Sequence, residues 1–213
     1  LVVQFTIGFL FAMFFSQKFT LAGPIRGLVL VGYMMPMSVT ALLGKNLFLL
    51  DGGVINDLLM KVHLISSPID WLVNGGTALG AVIAVNCWVG IPFNMLLLTS
   101  GLTGISTDIY ESASMDGANA FKRFIYITLP LMKPAMLSVL MLGFIYTFKA
   151  FDLMYIMTAG GPFNSTDVLG TYAYSKAFTQ YEFSQGSAIA MVLFACLFLV
   201  GIFYLKLLSK EDD

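Results

Sequence analysis

Long apolar runs separated by short polar stretches set the character of the chain. Five runs stand out, at roughly Leu1–Phe15, Ile25–Leu43, Ala78–Ser100, Ala135–Met157 and Ser187–Leu205. About 20 mostly apolar residues cross the hydrocarbon core of a bilayer, and a helix can satisfy all its own backbone polar groups there. The pattern therefore predicts one all-α domain over residues 1–213, a polytopic transmembrane helical bundle with five visible spans. Pro36 and Pro92 are expected to interrupt two of them, which bundles tolerate when neighbours satisfy the freed carbonyls. The first run is short and opens without Met or a basic segment, unlike a signal peptide. It reads as a span whose upstream sequence is absent.

Composition agrees. Hydrophobic residues make up 58% of the chain and charged residues 11%, against roughly 45–50% and about 25% in soluble domains. Too little charge remains to cover a soluble surface, and a net charge of −1 gives nucleic acid no electrostatic footprint. Cys87 and Cys196 both lie in apolar runs, as small packing residues do.

Basic residues orient the bundle. Lys18, Arg26, Lys122, Arg123, Lys133, Lys206 and Lys210 fall on one side, against Lys45, Lys61 and Lys176 on the other. This places residues 102–134 and the C-terminus in the cytoplasm. On the outer side, the turn Asp51-Gly52-Gly53 precedes Val54, Ile55, Leu58, Leu59 and Val62 at helical spacing, which predicts a short amphipathic surface helix. A second outer loop starts at Gly160-Gly161-Pro162 and continues into the aromatic-rich stretch Val168–Phe183.

The most structured polar segment runs from about Gly104 to Lys133. Ser106, Thr107 or Asp108 can cap a helix; with Asp108 as the cap, Glu111 stands at capping-box spacing. Gly117 is placed to end that helix in a left-handed conformation. A second helix is expected over Ala118–Tyr126, with Phe121, Phe124 and Ile125 on one side, and Pro130 is expected to stop or redirect the chain. The result is a cytoplasmic helix-turn-helix.

Glu111, Ala113, Gly117, Ile127, Leu129 and Pro130 resemble, in type and spacing, the EAA loop of binding-protein-dependent ABC importer permeases. Asp116 agrees with that pattern too. Ser112 stands where the first alanine is usual, and Ser106 where many relatives carry proline. Phe151–Pro162, Ser165-Thr166 and Tyr172–Phe178 further resemble the C-terminal part of MalF-type sugar permeases. The resemblance implies six core helices, one of them preceding Leu1. It implies a carbohydrate solute, a second related permease and an extracytoplasmic solute-binding protein. It also implies a cytoplasmic ATPase dimer that holds ATP and Mg, with no cofactor on this chain. Glu111, Ser112, Ala113, Asp116, Gly117, Ala118, Ile127, Leu129 and Pro130 would then form the ATPase-coupling surface in an inner membrane. No phosphate-binding glycine loop occurs in the chain. His63, the single histidine, lies apart from both cysteines, which disfavours a metal site.

Polar residues within spans mark candidate solute-path positions. Lys149 and Asp152, three apart, are expected to share a helix face and neutralise each other, either as a structural pair or along the path. Asn86 and Asn94, eight apart, share roughly one face, whereas Trp88 lies about 160° from Asn94. The amides could bind sugar hydroxyls or serve as polar glue between helices. Tyr146 and Tyr155 complete the set. The rival readings are a permease for a non-sugar solute, an exporter or secondary carrier, an unrelated channel or scaffold, and a membrane enzyme. The last would need His, Asp or Glu clustered at one face, and the sequence offers no such cluster.

Overall fold

The computed structural model describes residues 1–17 and 19–209, so Lys18 and Lys210 of the charge argument lie outside the described residues. Eleven α-helices are present among them: α1 (Val2–Ser16), α2 (Ala22–Met34), α3 (Met37–Leu47), α4 (Val54–Lys61), α5 (Gly75–Thr103), α6 (Thr107–Met115), α7 (Ala120–Arg123), α8 (Leu129–Phe148), α9 (Asp152–Thr158), α10 (Leu169–Tyr174) and α11 (Phe183–Ser209). A π turn over Phe124–Thr128 joins α7 to α8, and another over Ser175–Thr179 extends α10.

All five predicted runs are helical, but fewer than five are unbroken spans. Gly75–Thr103, Ala120–Phe148 and Phe183–Leu207 are long and apolar enough to cross a membrane, and α2 with α3 makes a fourth if the pair is one broken span. α1, at 15 residues, is apolar but shorter. The two prolines behave differently. Pro36 breaks its run because it lacks an N–H and disfavours helical geometry at the residue before it; α2 ends at Met34 and Pro36 becomes the N-cap of α3. Pro92 does not interrupt its span and lies inside α5.

The fourth span is also displaced. It runs Ala120–Phe148, not Ala135–Met157. A turn at Lys149 and Ala150 ends it, and Asp152 then opens α9 as a new helix, where a carboxylate suits the positive end of the helix dipole.

Residues cluster into two compact units. The first comprises Leu1–Met34, Trp88–Ile145 and the described part of Tyr204–Asp213. Its core is Ala12, Leu98, Met132 and Val139, with α1 registered against α5 by two reciprocal notches. A Cβ on Gly8 would lie 2.6 Å from Asn94 Cβ, and one on Gly90 would lie 2.3 Å from Gln4 Cδ. Each helix thus offers one glycine and one buried amide, four residues apart, to the other. Small residues of this kind let helix backbones approach closely in lipid.

The second unit comprises Met35–Cys87 and Tyr146–Phe203. Its core gathers Ala41, Phe48, Ala81, Val82, Val85, Leu153 and Met157. The expected surface helix is present as α4, with Val54 and Leu58 exposed along it and Val62 exposed at its C-cap. Asn56, which is 1% exposed, fixes it. Its Nδ2 donates to the carbonyls of Leu49, Leu50 and Ile69, at 3.2, 3.3 and 2.9 Å. Its Oδ1 accepts from Ile69 N–H at 3.1 Å and Trp71 Nε1 at 2.9 Å.

Burial separates the long helices. The share of the apolar window buried within the chain falls from 39% in Gly75–Thr103 to 17% in Ala120–Phe148 and 0% in Phe183–Leu207. Water is an unsuitable solvent for so much exposed apolar helix, so lipid or another chain must cover it.

Candidate functional site

The hairpin between α5 and α8 is built from local signals. Ser106, not Asp108, caps α6: its Oγ accepts from Asp108 N–H at 3.3 Å. Asp108 lies in the first turn, so the capping-box role considered for Glu111 does not arise, and Glu111 is exposed. The helix ends as expected. Gly117 has φ +79°, Gly117 N–H donates to Ser114 O at 3.1 Å, and Ala118 N–H donates to Ala113 O at 2.9 Å. These two bonds define a Schellman ending, in which a left-handed residue lets the chain reverse.

The second helix departs from expectation. It starts at Ala120, capped by Asn119 Oδ1 accepting from Lys122 N–H at 2.9 Å, and continues through the π turn into α8. Pro130 therefore neither stops nor redirects the chain. A proline within a helix leaves the carbonyl four residues back without its donor and crowds it. Here the wider turn directly before Pro130, closed by Leu129 N–H donating to Phe124 O, accommodates that fault. The three residues expected on one side differ in burial: Phe121 is 72% exposed while Phe124 and Ile125 are half-buried.

Side chains that the motif did not single out brace the hairpin. Tyr110 Oη and Thr128 Oγ1 are hydrogen-bonded at 3.0 Å, tying α6 to the π turn. Arg123 Nη1 donates to Ser114 Oγ at 2.8 Å, and Ser114 Oγ donates to Tyr110 O at 2.7 Å. Around this brace Ser112, Asp116, Gly117 and Pro130 are exposed, and Ala113, Ala118, Ile127 and Leu129 are half-buried. Met115, 89% exposed, and Phe121 add apolar surface. The hairpin is a hydrogen-bonded knob with a mixed small, acidic and apolar face, suited to seating in a partner's groove.

The candidate path residues are not one constellation. Asn94 is wholly buried; its Nδ2 donates to Gly90 O at 2.7 Å, and its Oδ1 has no hydrogen-bond partner. Asn86 is half-buried on the same helix, and Trp88 is 64% exposed. A Cβ on Gly32 would lie 2.7 Å from Trp88 Nε1. Lys149 and Asp152 do not share a helix face, because the chain breaks between them. Lys149 instead lies 5.0 Å from the ring centroid of Tyr146, a cation–π contact. Tyr155 belongs to an aromatic run, 5.2 Å from Phe151 and 4.8 Å from Tyr174 between centroids. Tyr174 continues it to Phe178 at 5.1 Å. Beyond it Lys176 Nζ pairs with Glu182 Oε2 at 2.9 Å, and that hydrogen bond holds the ammonium above its ordinary pKa.

Residues 4–210 match the family described as binding-protein-dependent transport system inner membrane component. The chain is 31% identical over 188 residues to a probable ABC transporter permease protein of Brucella suis, covering 88% of this chain and 65% of that one. It is 32% identical over 200 residues to the trehalose/maltose transport system permease protein MalF of Thermococcus litoralis, covering 94% and 67%. In three dimensions it is similar to a chain of a bacterial ABC transporter involved in the import of the acidic polysaccharide alginate. There the TM-score is 0.87 at 18% identity, over 98% of this chain and 73% of that one. At that identity the likeness concerns the fold. The chain spans about two thirds of the length of the curated relatives it matches.

Proposed function

Because the chain belongs to the family of binding-protein-dependent transport system inner membrane components, we propose that it is the permease subunit of an ATP-driven importer and that its solute is a carbohydrate. The braced hairpin from Ser106 to Pro130 carries the reading: it fixes small Ser112 and Ala113 and the left-handed Gly117 on one outward knob. That knob docks into a cytoplasmic ATPase dimer, which binds ATP and Mg and performs the hydrolysis. A second, related permease completes the bundle, and an extracytoplasmic binding protein delivers the solute. Relatives whose names specify trehalose/maltose and sulfoquinovosyl glycerol transport support the carbohydrate class.

Cysteine placed at Ser112 or Ala113 is expected to crosslink to the copurified ATPase. Gly117→Pro, which forbids the left-handed φ, is expected to uncouple hydrolysis from transport. No crosslink together with unchanged coupling would sink the docking role.

For the solute path, the exposed rings of Tyr146 and Tyr155 in the second unit, and separately that of Trp88 in the first, suit stacking on sugar. In the same second unit Lys149 supplies charge beside Tyr146, Asp152 a carboxylate and Asn86 an amide. Full burial of Asn94 favours the helix-packing role for that amide. Asn94→Ala is therefore expected to lower complex assembly and transport together, measured by copurification and solute uptake. A loss of uptake with normal assembly would return Asn94 to the path.

A further inference from the structure

We propose that the cavity between the end of α1 and the root of the hairpin binds the phosphodiester headgroup of an anionic membrane lipid, with Arg123 as its cation. The cavity has a volume of about 340 Å³. Its polar wall carries Gln17 from beyond α1, Tyr110 from α6, and Arg123 and Thr128 from the helix that follows. Arg123 is the one formally charged residue of the lining, and no carboxylate joins it. Asp108 and Glu111, on the same helix as Tyr110, are exposed and lie outside the lining.

The guanidinium is already positioned. Its Nη1 donates to Ser114 Oγ at 2.8 Å, which engages one of its five N–H donors and leaves a planar fork suited to phosphate oxygens. The Gln17 amide adds neutral donors. Tyr110 and Thr128, bonded to each other at 3.0 Å, keep the wall from closing. Ser16 turns its hydroxyl away, donating to Met13 O at 2.8 Å.

Met13, Leu102 and Phe124 give the cavity an apolar floor. A free inorganic anion gains nothing from such a floor, whereas a glycerophospholipid places its backbone and first methylenes there. The site also adjoins the end of an apolar helix on the basic side of the chain, at the level where headgroups lie. That placement rests on the orientation in the importer reading, under which the cytoplasmic leaflet supplies anionic lipid.

Native mass spectrometry of the full complex tests this, after exchange into mixed phosphatidylcholine and phosphatidylglycerol micelles. The wild type is expected to retain phosphatidylglycerol. Arg123→Gln is expected to retain about tenfold less, the effect of losing a charge-assisted hydrogen bond. Ser114→Ala breaks the same brace but keeps the charge, and is expected to retain clearly more lipid than Arg123→Gln. Equal retention in wild type and Arg123→Gln, or equal loss in Ser114→Ala, overturns the site. Displacement of the lipid by added inorganic phosphate overturns the lipid as its source. Retention is read without ATPase or uptake, so its failure is distinguishable from failure of the importer reading.

Discussion

Asn56 closes five hydrogen bonds around one buried amide, and its removal takes the partner from polar groups of Leu49, Leu50, Ile69 and Trp71, residues that are exposed or half-buried. Asn56→Ala is expected to destabilise the second unit by about 1–3 kcal/mol, since several hydrogen bonds worth about 0.5–1.5 kcal/mol each are lost and only partly replaced by water. Asn56→Asp should be no better, because it loses the donors and sets a carboxylate against carbonyls. Melting temperature in detergent checks both; an alanine variant that melts like the wild type would refute the assignment. Gly117 presents a different case. Nothing lies within 4 Å of its missing Cβ, so Gly117→Ala tests conformation alone, at roughly 1–2 kcal/mol for a left-handed alanine. Gly117 was legible in the sequence because a helix stop is a local signal. Asn56 was not, since its partners Ile69 and Trp71 lie 13 and 15 residues away and no periodicity reports such a closure.

At the scale of elements, the α1–α5 seam gives a clean test. A Cβ on Gly8 would meet Asn94 Cβ at 2.6 Å, Met95 N at 3.1 Å and Ile91 O at 3.2 Å. Two of these are backbone atoms that cannot step aside. Gly8→Ala is expected to cost about 1–3 kcal/mol, as overpacking does. Gly90→Ala meets first the end of the Gln4 side chain, which has rotamers to retreat into where backbone has none, and should cost less, with both read from detergent melting. Hydropathy located the apolar runs well, yet it misjudged where helices break. Pro36 breaks one, Pro92 does not, and Pro130 follows a π turn that absorbs its effect. The three prolines differ in the turns around them, and a hydropathy window does not register that difference. The Lys149–Asp152 pairing failed for the same reason: helical spacing was assumed across residues where the helix had already ended.

For the whole molecule, sidedness is the property to measure. A single cysteine at Lys206 is expected to react with an impermeant maleimide only in inside-out vesicles, and one at Lys61 only in right-side-out vesicles. The reverse pattern would invert the orientation and remove the hairpin from the ATPase side. The π turn between Phe124 and Thr128 has a wider meaning at this scale. A turn of that kind carries one residue more than an α-turn, so the hairpin and the span are out of step by roughly 100° of rotation. The slip works like a vernier. Deleting one residue there would restore ordinary winding, leave the span in place, and swing the knob about a quarter of a circle. A change of a single residue in length could thus re-aim the face offered to the ATPase without altering any residue on that face.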